Sequence, residues 1–260
     1  LGHIVKQVAI TLFKGLSISY ISLPIKIFEA TSGLSRMVDL WTSAPVYLKR
    51  AGQTTDHLER LKLAVTFMIS NLYMCCGQMK PFNPLLGETL QGEFADGTKY
   101  YMEHVSHHPP ISSFLLEDPD GLWKMYGNYE TYGKMEFNAL ISGLRGPMNL
   151  VFKDGQHIRF AVPFFKIHGL LYGTRTVELV GSVQFEDYTN NRKAVVCLNT
   201  LSKSGLLRRK TSGHVAGFTG LIYDCEPLVD SPEIIKKHYS KQQSFVSDVS
   251  KLSDVVTPLC

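Results

Sequence analysis

The sequence contains no apolar run of about 18 residues, the length that a single helix needs to cross a bilayer. Residues 1–13 are amphipathic, so the chain also lacks the continuous apolar core of a secretory signal peptide. The Gly-x-Ser-x-Gly signature of a serine hydrolase is missing as well. We therefore expect neither a membrane-spanning nor a secreted protein. Because it opens on Leu1 rather than Met, we expect a piece of a longer chain.

Cysteine is scarce and irregularly placed. An odd number cannot all pair, two of the five are adjacent in the chain, and the spacings match no disulfide framework. No pair of them lies near histidines at the spacing of a zinc site. We therefore expect reduced thiols, as in the cytosol, with neither a metal nor a cofactor. The cysteines are Cys75, Cys76, Cys197, Cys225 and Cys260.

Neither sign of charge dominates, since the net charge is only +4. No nucleic-acid recognition motif accompanies the small positive excess. We expect no nucleic-acid partner. The basic residues nevertheless concentrate in residues 191–214, which carry no acid. That segment is either a solvated loop or a surface for anionic membranes, where each basic side chain contributes about 1 kcal/mol. In the second case Arg208, Arg209 and Lys210 face the membrane.

Short strands separated by turn signals fill the chain from Thr89 onward. Asp96-Gly97 between two of them indicates a hairpin. Repeated strands at this spacing are typical of an antiparallel sandwich or barrel, and periodicity alone does not choose between the two. The predicted strands are 90–94, 98–105, 111–116, 122–129, 134–142, 149–152, 157–162, 164–172, 176–186, 193–199 and 214–223.

Helical periodicity is confined to the first third of the chain. Residues 56–74 have the clearest pattern, with Thr55 or Asp56 as the cap. A shorter helix is predicted within residues 31–40, and Ala44-Pro45 is interpreted as a break. Residues 1–14 also predict an amphipathic helix, whose apolar stripe favours burial. The stripe is Leu1, Ile4, Val5, Val8, Leu12 and Phe13.

Two adjacent histidines end the aromatic strand of residues 100–110 and precede two prolines. Proline restricts its own φ and the conformation of the residue before it. The two histidines are therefore expected to be held stiffly and to lose little entropy on binding a ligand. Two adjacent imidazoles suit an anion such as a phosphate. A metal site is the alternative, but strand alternation would put His104 and His108 on the face opposite His107. We therefore expect an anion rather than a metal.

This run resembles the Glu-Gln-Val-Ser-His-His-Pro-Pro signature of the oxysterol-binding protein family of lipid-transfer proteins. His104 replaces the usual Gln, and residues 80–89 resemble the family's Lys-Pro-Phe-Asn-Pro-Leu-Leu-Gly-Glu segment, in the same order along the chain. The resemblance extends from about Leu16 to about Asp224. The matching signature positions are Glu103, Val105, Ser106, His107, His108, Pro109 and Pro110.

The resemblance implies an α+β, mainly β fold, in which a near-complete antiparallel β-barrel encloses a hydrophobic tunnel, with helices and an amphipathic lid at the N-terminus. The whole is one lipid-binding domain. Its expected parts are a lid helix (1–15), a helical and extended region (16–79), a β-barrel core (80–224) and a loosely ordered segment (225–260).

The resemblance also implies residue roles. The head group of phosphatidylinositol 4-phosphate is expected on Lys80, Asn83, His107 and His108. The acyl chains or glycerol are expected beside Leu85, Leu86 and Gly87, with Ile4, Val5, Val8 and Leu12 in the lid. The family's further C-terminal contacts, a Lys, a Glu and an Arg spaced four apart, are absent, and we expect the chain to be truncated or the pattern lost.

The function that the resemblance implies is a monomeric carrier, cytoplasmic and peripheral at membranes, and not an enzyme. It would exchange phosphatidylinositol 4-phosphate for a sterol or phosphatidylserine between membranes. Two alternatives stay open: a lipid sensor that signals through a partner, and a hydrolase acting on phosphoinositides with His107 or His108 as nucleophile or base.

Overall fold

A computed structural model describes residue 25 and residues 28–76, 79–170, 172–198 and 218–228. The predicted lid helix of residues 1–15 lies outside these residues, and so do Arg208, Arg209, Lys210 and most of the C-terminal segment. In the described part of the chain, no helix is long and apolar enough to cross a membrane.

Three helices precede the main sheet: α1 (Gly33–Asp39), α2 (Ala44–Gln53) and α3 (His57–Ser70), followed by a 3₁₀ turn at Leu72–Cys76. Polar caps start two of them. Ser32 Oγ accepts from Leu34 N, and Asp56 Oδ1 accepts from the first amides of α3. The predicted break at Ala44-Pro45 is wrong, because α2 starts there. Proline suits the first turn of a helix, whose amides lack intrahelical partners.

The strands are β1 (Phe28–Ser32), β2 (Lys80–Phe82), β3 (Thr89–Glu93), β4 (Lys99–His107), β5 (Pro110–Glu117), β6 (Trp123–Glu136), β7 (Ala139–Arg145), β8 (Met148–Phe152), β9 (His157–Phe160), β10 (Phe164–His168), β11 (Thr176–Val180), β12 (Ser182–Asp187), β13 (Arg192–Leu198) and β14 (Phe218–Asp224). The expectation of a mainly β fold is confirmed, as is the hairpin at Gly97, whose φ is 87°.

β1 and β2 pair in parallel, and the other strands form one 12-stranded sheet. The long strand β6 is its branch point. One edge pairs with β5, and the other pairs first with β8 and then with β7. The predicted strands 122–129 and 134–142 are therefore wrongly divided: one strand runs through to Glu136, and the turn falls within the second predicted strand. Strand 176–186 is interrupted at Gly181, whose φ of 84° suits glycine.

The three helices pack against one face of the sheet, where Trp41 and Phe114 have ring centroids 4.7 Å apart. A polar cluster, here called the Arg60 junction, ties α3 to the sheet. Arg60 forms an ion pair with Asp154 and donates to Gln156 Oε1 at 3.2 Å. Gln156 in turn donates to Asp187, which is fully buried, at 2.8 Å. Buried charges in this junction are therefore paired or hydrogen-bonded.

Candidate functional site

Backbone hydrogen bonds join the two motifs of the sequence. Gly87 N donates to His104 O at 2.9 Å, and His104 N donates to Glu88 O at 2.9 Å. These bonds continue the pairing of β3 with β4 into the segment that follows Lys80. The end of β4, which carries the histidines, therefore lies against the Lys80 segment.

Glu88 closes the loop between the two motifs. Its carboxylate accepts from Leu85 N at 2.8 Å, while Glu88 N donates to Leu85 O at 2.9 Å. Gly87 lies at φ 78°, a conformation that favours glycine. The turn leaves Leu85 74% and Leu86 68% exposed among the described residues. Two apolar side chains are thus presented beside the histidines.

Lys80 lies on the short strand β2, opposite Phe28 of β1. Its Nζ donates to Asn83 Oδ1 at 2.7 Å and to Pro81 O at 3.2 Å, and it lies 4.9 Å from the centre of the Phe28 ring. Burial lowers the pKa of Lys80. Among the described residues, no carboxylate pairs with this ammonium group. The result is a half-buried cation whose described contacts are all with neutral groups.

The three histidines form a continuous row of rings. His104 Nε2 is 3.2 Å from His107 Nδ1, and the rings of His107 and His108 are 5.0 Å apart. A register shift between His104 and Ser106 interrupts the strand alternation. The expectation that His104 and His107 face opposite sides is therefore wrong, because a bulge re-aims the side chains on one strand.

His104 is the deepest of the three and is only 2% exposed. Its Nδ1 lies 2.9 Å from Ser112 Oγ on β5. Burial is the main cause that lowers the pKa of His104, and the neighbouring His107 adds to the effect, while Glu88 opposes it. Sequence reasoning considered His104 as a departure from the family signature and as a possible metal ligand, but it did not foresee its buried position, and it missed Ser112. The alternation of β5 could have indicated that Ser112 points inward.

We call Lys80, Asn83, His107 and His108 the basic site. Within it, Lys80 contacts Asn83, and His107 contacts His108. The arrangement can donate hydrogen bonds to an anion from an ammonium group and from imidazole rings. In the described ranges, no group of three His, Cys, Asp or Glu side chains is arranged to hold a metal ion.

A family model described as "Oxysterol-binding protein" matches residues 9–225. Oxysterol-binding protein 9 of Dictyostelium discoideum is 38% identical over 196 residues, which cover 75% of this chain and 46% of that protein. Human oxysterol-binding protein-related protein 5 is 32% identical over 187 residues, covering 69% of this chain and 21% of that protein. The chain thus spans less than half the length of these two relatives.

Two solved structures are similar in fold. The Osh1 ORD domain in complex with ergosterol has a TM-score of 0.67 at 24% identity, covering 80% of this chain and 48% of that one. The Osh3 ORD of Saccharomyces cerevisiae in complex with PI(4)P has a TM-score of 0.66 at 21% identity, covering 95% and 71%. The family model matches most of the chain, and the residues of both motifs lie together in the structure. The chain belongs to the oxysterol-binding protein family.

Proposed function

We propose that this chain binds phosphatidylinositol 4-phosphate with its head group on the basic site, and carries it between membranes in exchange for a second lipid. The observation that carries the proposal is Lys80. Its ammonium group is half-buried, its pKa is lowered by burial, and no carboxylate among the described residues pairs with it. A buried cation without a counter-charge is costly, and a bound phosphate would supply that charge.

The nature of the lipids is supported by the structural neighbours. Of these, the Osh3 ORD is in complex with PI(4)P and the Osh1 ORD domain is in complex with ergosterol. A sterol is therefore the first candidate for the second lipid, and phosphatidylserine is the next. The proposed carrier is a monomer that acts from the cytoplasm at anionic membrane surfaces, which Arg208, Arg209 and Lys210 would contact.

We also propose that the 12-stranded sheet curves into a near-complete barrel, formed by residues 80–224, around a hydrophobic tunnel. An extracted acyl chain needs such a cavity, because each methylene left in water costs about 0.8 kcal/mol. Leu85, Leu86 and Gly87 would contact the glycerol or upper acyl chains at its mouth. Residues 1–15 would form the lid with Ile4, Val5, Val8 and Leu12, followed by a connecting region (16–79). Residues 225–260 would be loosely ordered.

Burial of the Ser112 hydroxyl argues against a hydrolase that would use it as the nucleophile. Ser112, which reaches His104, is only 3% exposed, so a substrate phosphate could not approach it. A nucleophile must be accessible to the bond that it attacks. A hydrolase with His107 or His108 as nucleophile or base is left to the test below. A sensor would bind the same lipid without moving it.

The test is extraction of phosphatidylinositol 4-phosphate from vesicles by the wild type and by His107→Ala/His108→Ala. We expect extraction by the wild type and its loss in the double variant, with phosphatidylinositol as the control lipid. Movement of labelled lipid to a second vesicle population separates a carrier from a sensor, and release of inorganic phosphate would identify an enzyme. If the wild type extracts phosphatidylinositol as well as its 4-phosphate, the proposal is wrong.

A further inference from the structure

A row of buried polar side chains leads inward from the basic site across three strands. His104 on β4 is the direct cross-strand neighbour of Ser112 on β5, and Ser112 is the neighbour of Tyr129 on β6. The three are 2%, 3% and 4% exposed, respectively. Burial raises the pKa of Tyr129, opposed by its hydrogen bond with Ser112, so its phenol stays protonated. Buried polar groups this close are expected to satisfy one another.

The row ends at His107, which is half-buried at the end of β4. His107 directs Nδ1 toward His104 at 3.2 Å, so Nε2 is its ring nitrogen for a ligand. His104 is thus flanked on both nitrogens, by His107 on one side and Ser112 on the other. Its ring has no nitrogen left for a ligand of its own.

A neutral imidazole has one N–H and one bare nitrogen, so the two bonds of His104 must run in the same direction along the row. If Ser112 donates to Nδ1, then Nε2–H donates to His107. If Nδ1–H donates to Ser112, then Nε2 accepts from His107. The burial that lowers the pKa of His104 keeps it neutral and limits it to these two states.

We propose that His104 is a positioning residue whose change of tautomer lets His107 take up a proton when a phosphate monoester binds. In the free site, the Nε2–H of His104 donates to His107 Nδ1. His107 then carries its own proton on Nε2, where a ligand can accept it. On binding, His107 gains one proton from solvent and donates from Nδ1 to His104. His104 then carries its proton on Nδ1, and the Ser112 hydroxyl turns toward Tyr129. No hydrogen bond of the row is lost, and the phosphate meets an imidazolium.

The groups that face this pair fit the proposal. Glu88, from the loop before β3, is the carboxylate that acts on His104, and its own oxygen is engaged by Leu85 N. His108 faces His107 from the hairpin turn, and Tyr129 lies at the inner end of the row. The ligand is identified by its dianionic phosphate. That it is a lipid head group rests on the proposed function above.

His104→Gln is the informative variant. A glutamine amide can also donate and accept, but it holds the two functions on separate atoms. It therefore reverses direction only by turning the whole group in a buried space, whereas imidazole does so by exchanging a proton. We expect His104→Gln to fold and to bind, but with a weaker pH dependence. His104→Leu offers His107 no hydrogen-bonding partner and should weaken the pH dependence further than His104→Gln does.

The first readout is proton uptake during binding of a short-chain, water-soluble phosphatidylinositol 4-phosphate, measured by calorimetry in buffers of different ionisation enthalpy. At about pH 7.5 the phosphate monoester, whose second pKa is about 6, is already mostly dianionic and exchanges little proton of its own. There we expect the wild type to take up as much as about one proton, with affinity rising by at most about tenfold per pH unit on acidification. Ser112→Ala should reduce this uptake. Ser113→Ala, whose hydroxyl donates to Asn128 instead, is the matched control and should leave it unchanged.

The second readout is ring-nitrogen NMR at one pH, comparing the ligand-free protein with the protein in saturating short-chain phosphatidylinositol 4-phosphate or inorganic phosphate. His104 should change from one neutral tautomer to the other when the phosphate binds. If His104 keeps one tautomer or becomes doubly protonated, the inference is wrong. If the wild type binds the lipid without proton uptake, the inference fails while the proposed function stands. If no phosphoinositide binds, the proposed function fails, and the spectra with inorganic phosphate still decide the tautomer switch.

Discussion

The Arg60 junction and the basic site are both polar clusters within an apolar fold, but they differ in how their charges are balanced. In the junction, the cation Arg60 meets the carboxylate Asp154 and backbone carbonyls at Ala51 and Thr54. In the basic site, Lys80 contacts the Phe28 ring, the Asn83 side-chain amide and the Pro81 carbonyl. In the junction the cation has a carboxylate partner without any ligand, and the buried carboxylate of Asp187 accepts hydrogen bonds from Gln156 and Asn190. In the basic site the cation has no carboxylate partner among the described residues, and an anion can supply the missing charge.

The largest expected effect is the loss of the junction's cation. Arg60→Leu removes the guanidinium group that pairs with Asp154 and donates to Gln156 Oε1. We therefore expect the free energy of unfolding to fall by about 3 kcal/mol. Urea unfolding measures this. Lys62→Leu, at an exposed lysine on the same helix, is the control and should change stability by less than about 0.5 kcal/mol. Equal effects of the two variants would contradict the assigned role of the junction.

The second-largest expected effect is on ligand binding instead of stability. Lys80→Met removes a cation that burial already disfavours, so the free energy of unfolding should stay the same or rise. Affinity for vesicles containing phosphatidylinositol 4-phosphate should fall by about tenfold to a hundredfold, because a charge-assisted hydrogen bond is lost. Lys99→Met, at an exposed lysine on β4, is the control. A variant that loses stability and keeps its affinity would show that Lys80 is structural.

A third, smaller effect is the loss of the junction's stabilising contribution in acid. Burial opposes ionisation of Asp154, but its bonds from Arg60 and from Gln156 N outweigh burial and lower the pKa. The stability that this adds is present above about pH 4 and is lost as pH falls toward the folded-state pKa. We expect Asp154→Asn to lower stability at pH 7 by about 1 kcal/mol, as for a partly exposed ion pair, and to flatten its decline in acid. Urea titrations from pH 5 to 3 compare the two proteins.

The smallest expected effect lies nearer neutral pH. Since burial lowers the pKa of His104 below its usual 6.5, the unfolded chain binds more protons once the pH falls past that value. The contribution of His104 to stability is therefore greatest above pH 6.5 and declines below it. His104→Gln should make this decline shallower and leave the decline below pH 4 unchanged. Urea midpoints measured from pH 7.5 to 5.5 test it, and an identical slope in both proteins would contradict a buried neutral His104.

Local chemistry made several features predictable. Asp56 as a cap, Gly97 in a hairpin and the period-2 strands follow from short-range sterics and hydrogen bonding. The errors at Ala44-Pro45 and in the division of β6 have local causes as well. Proline can start a helix as readily as it ends one, and a strand's length depends on its partners. β6 extends to Glu136 because β7 pairs along its second half.

The sequence by itself determined the family motifs and the residue types of the basic site. Only the tertiary structure decided their environment. It pairs β5 with β4 so that Ser112 lies against His104, and its bulge turns His107 toward the same ring. It also half-buries Lys80 against Phe28, with no acid paired to it in the part of the chain that the structure describes. Burial and charge balance depend on groups distant in the chain, and the chemistry of an imidazole or an ammonium group depends on both.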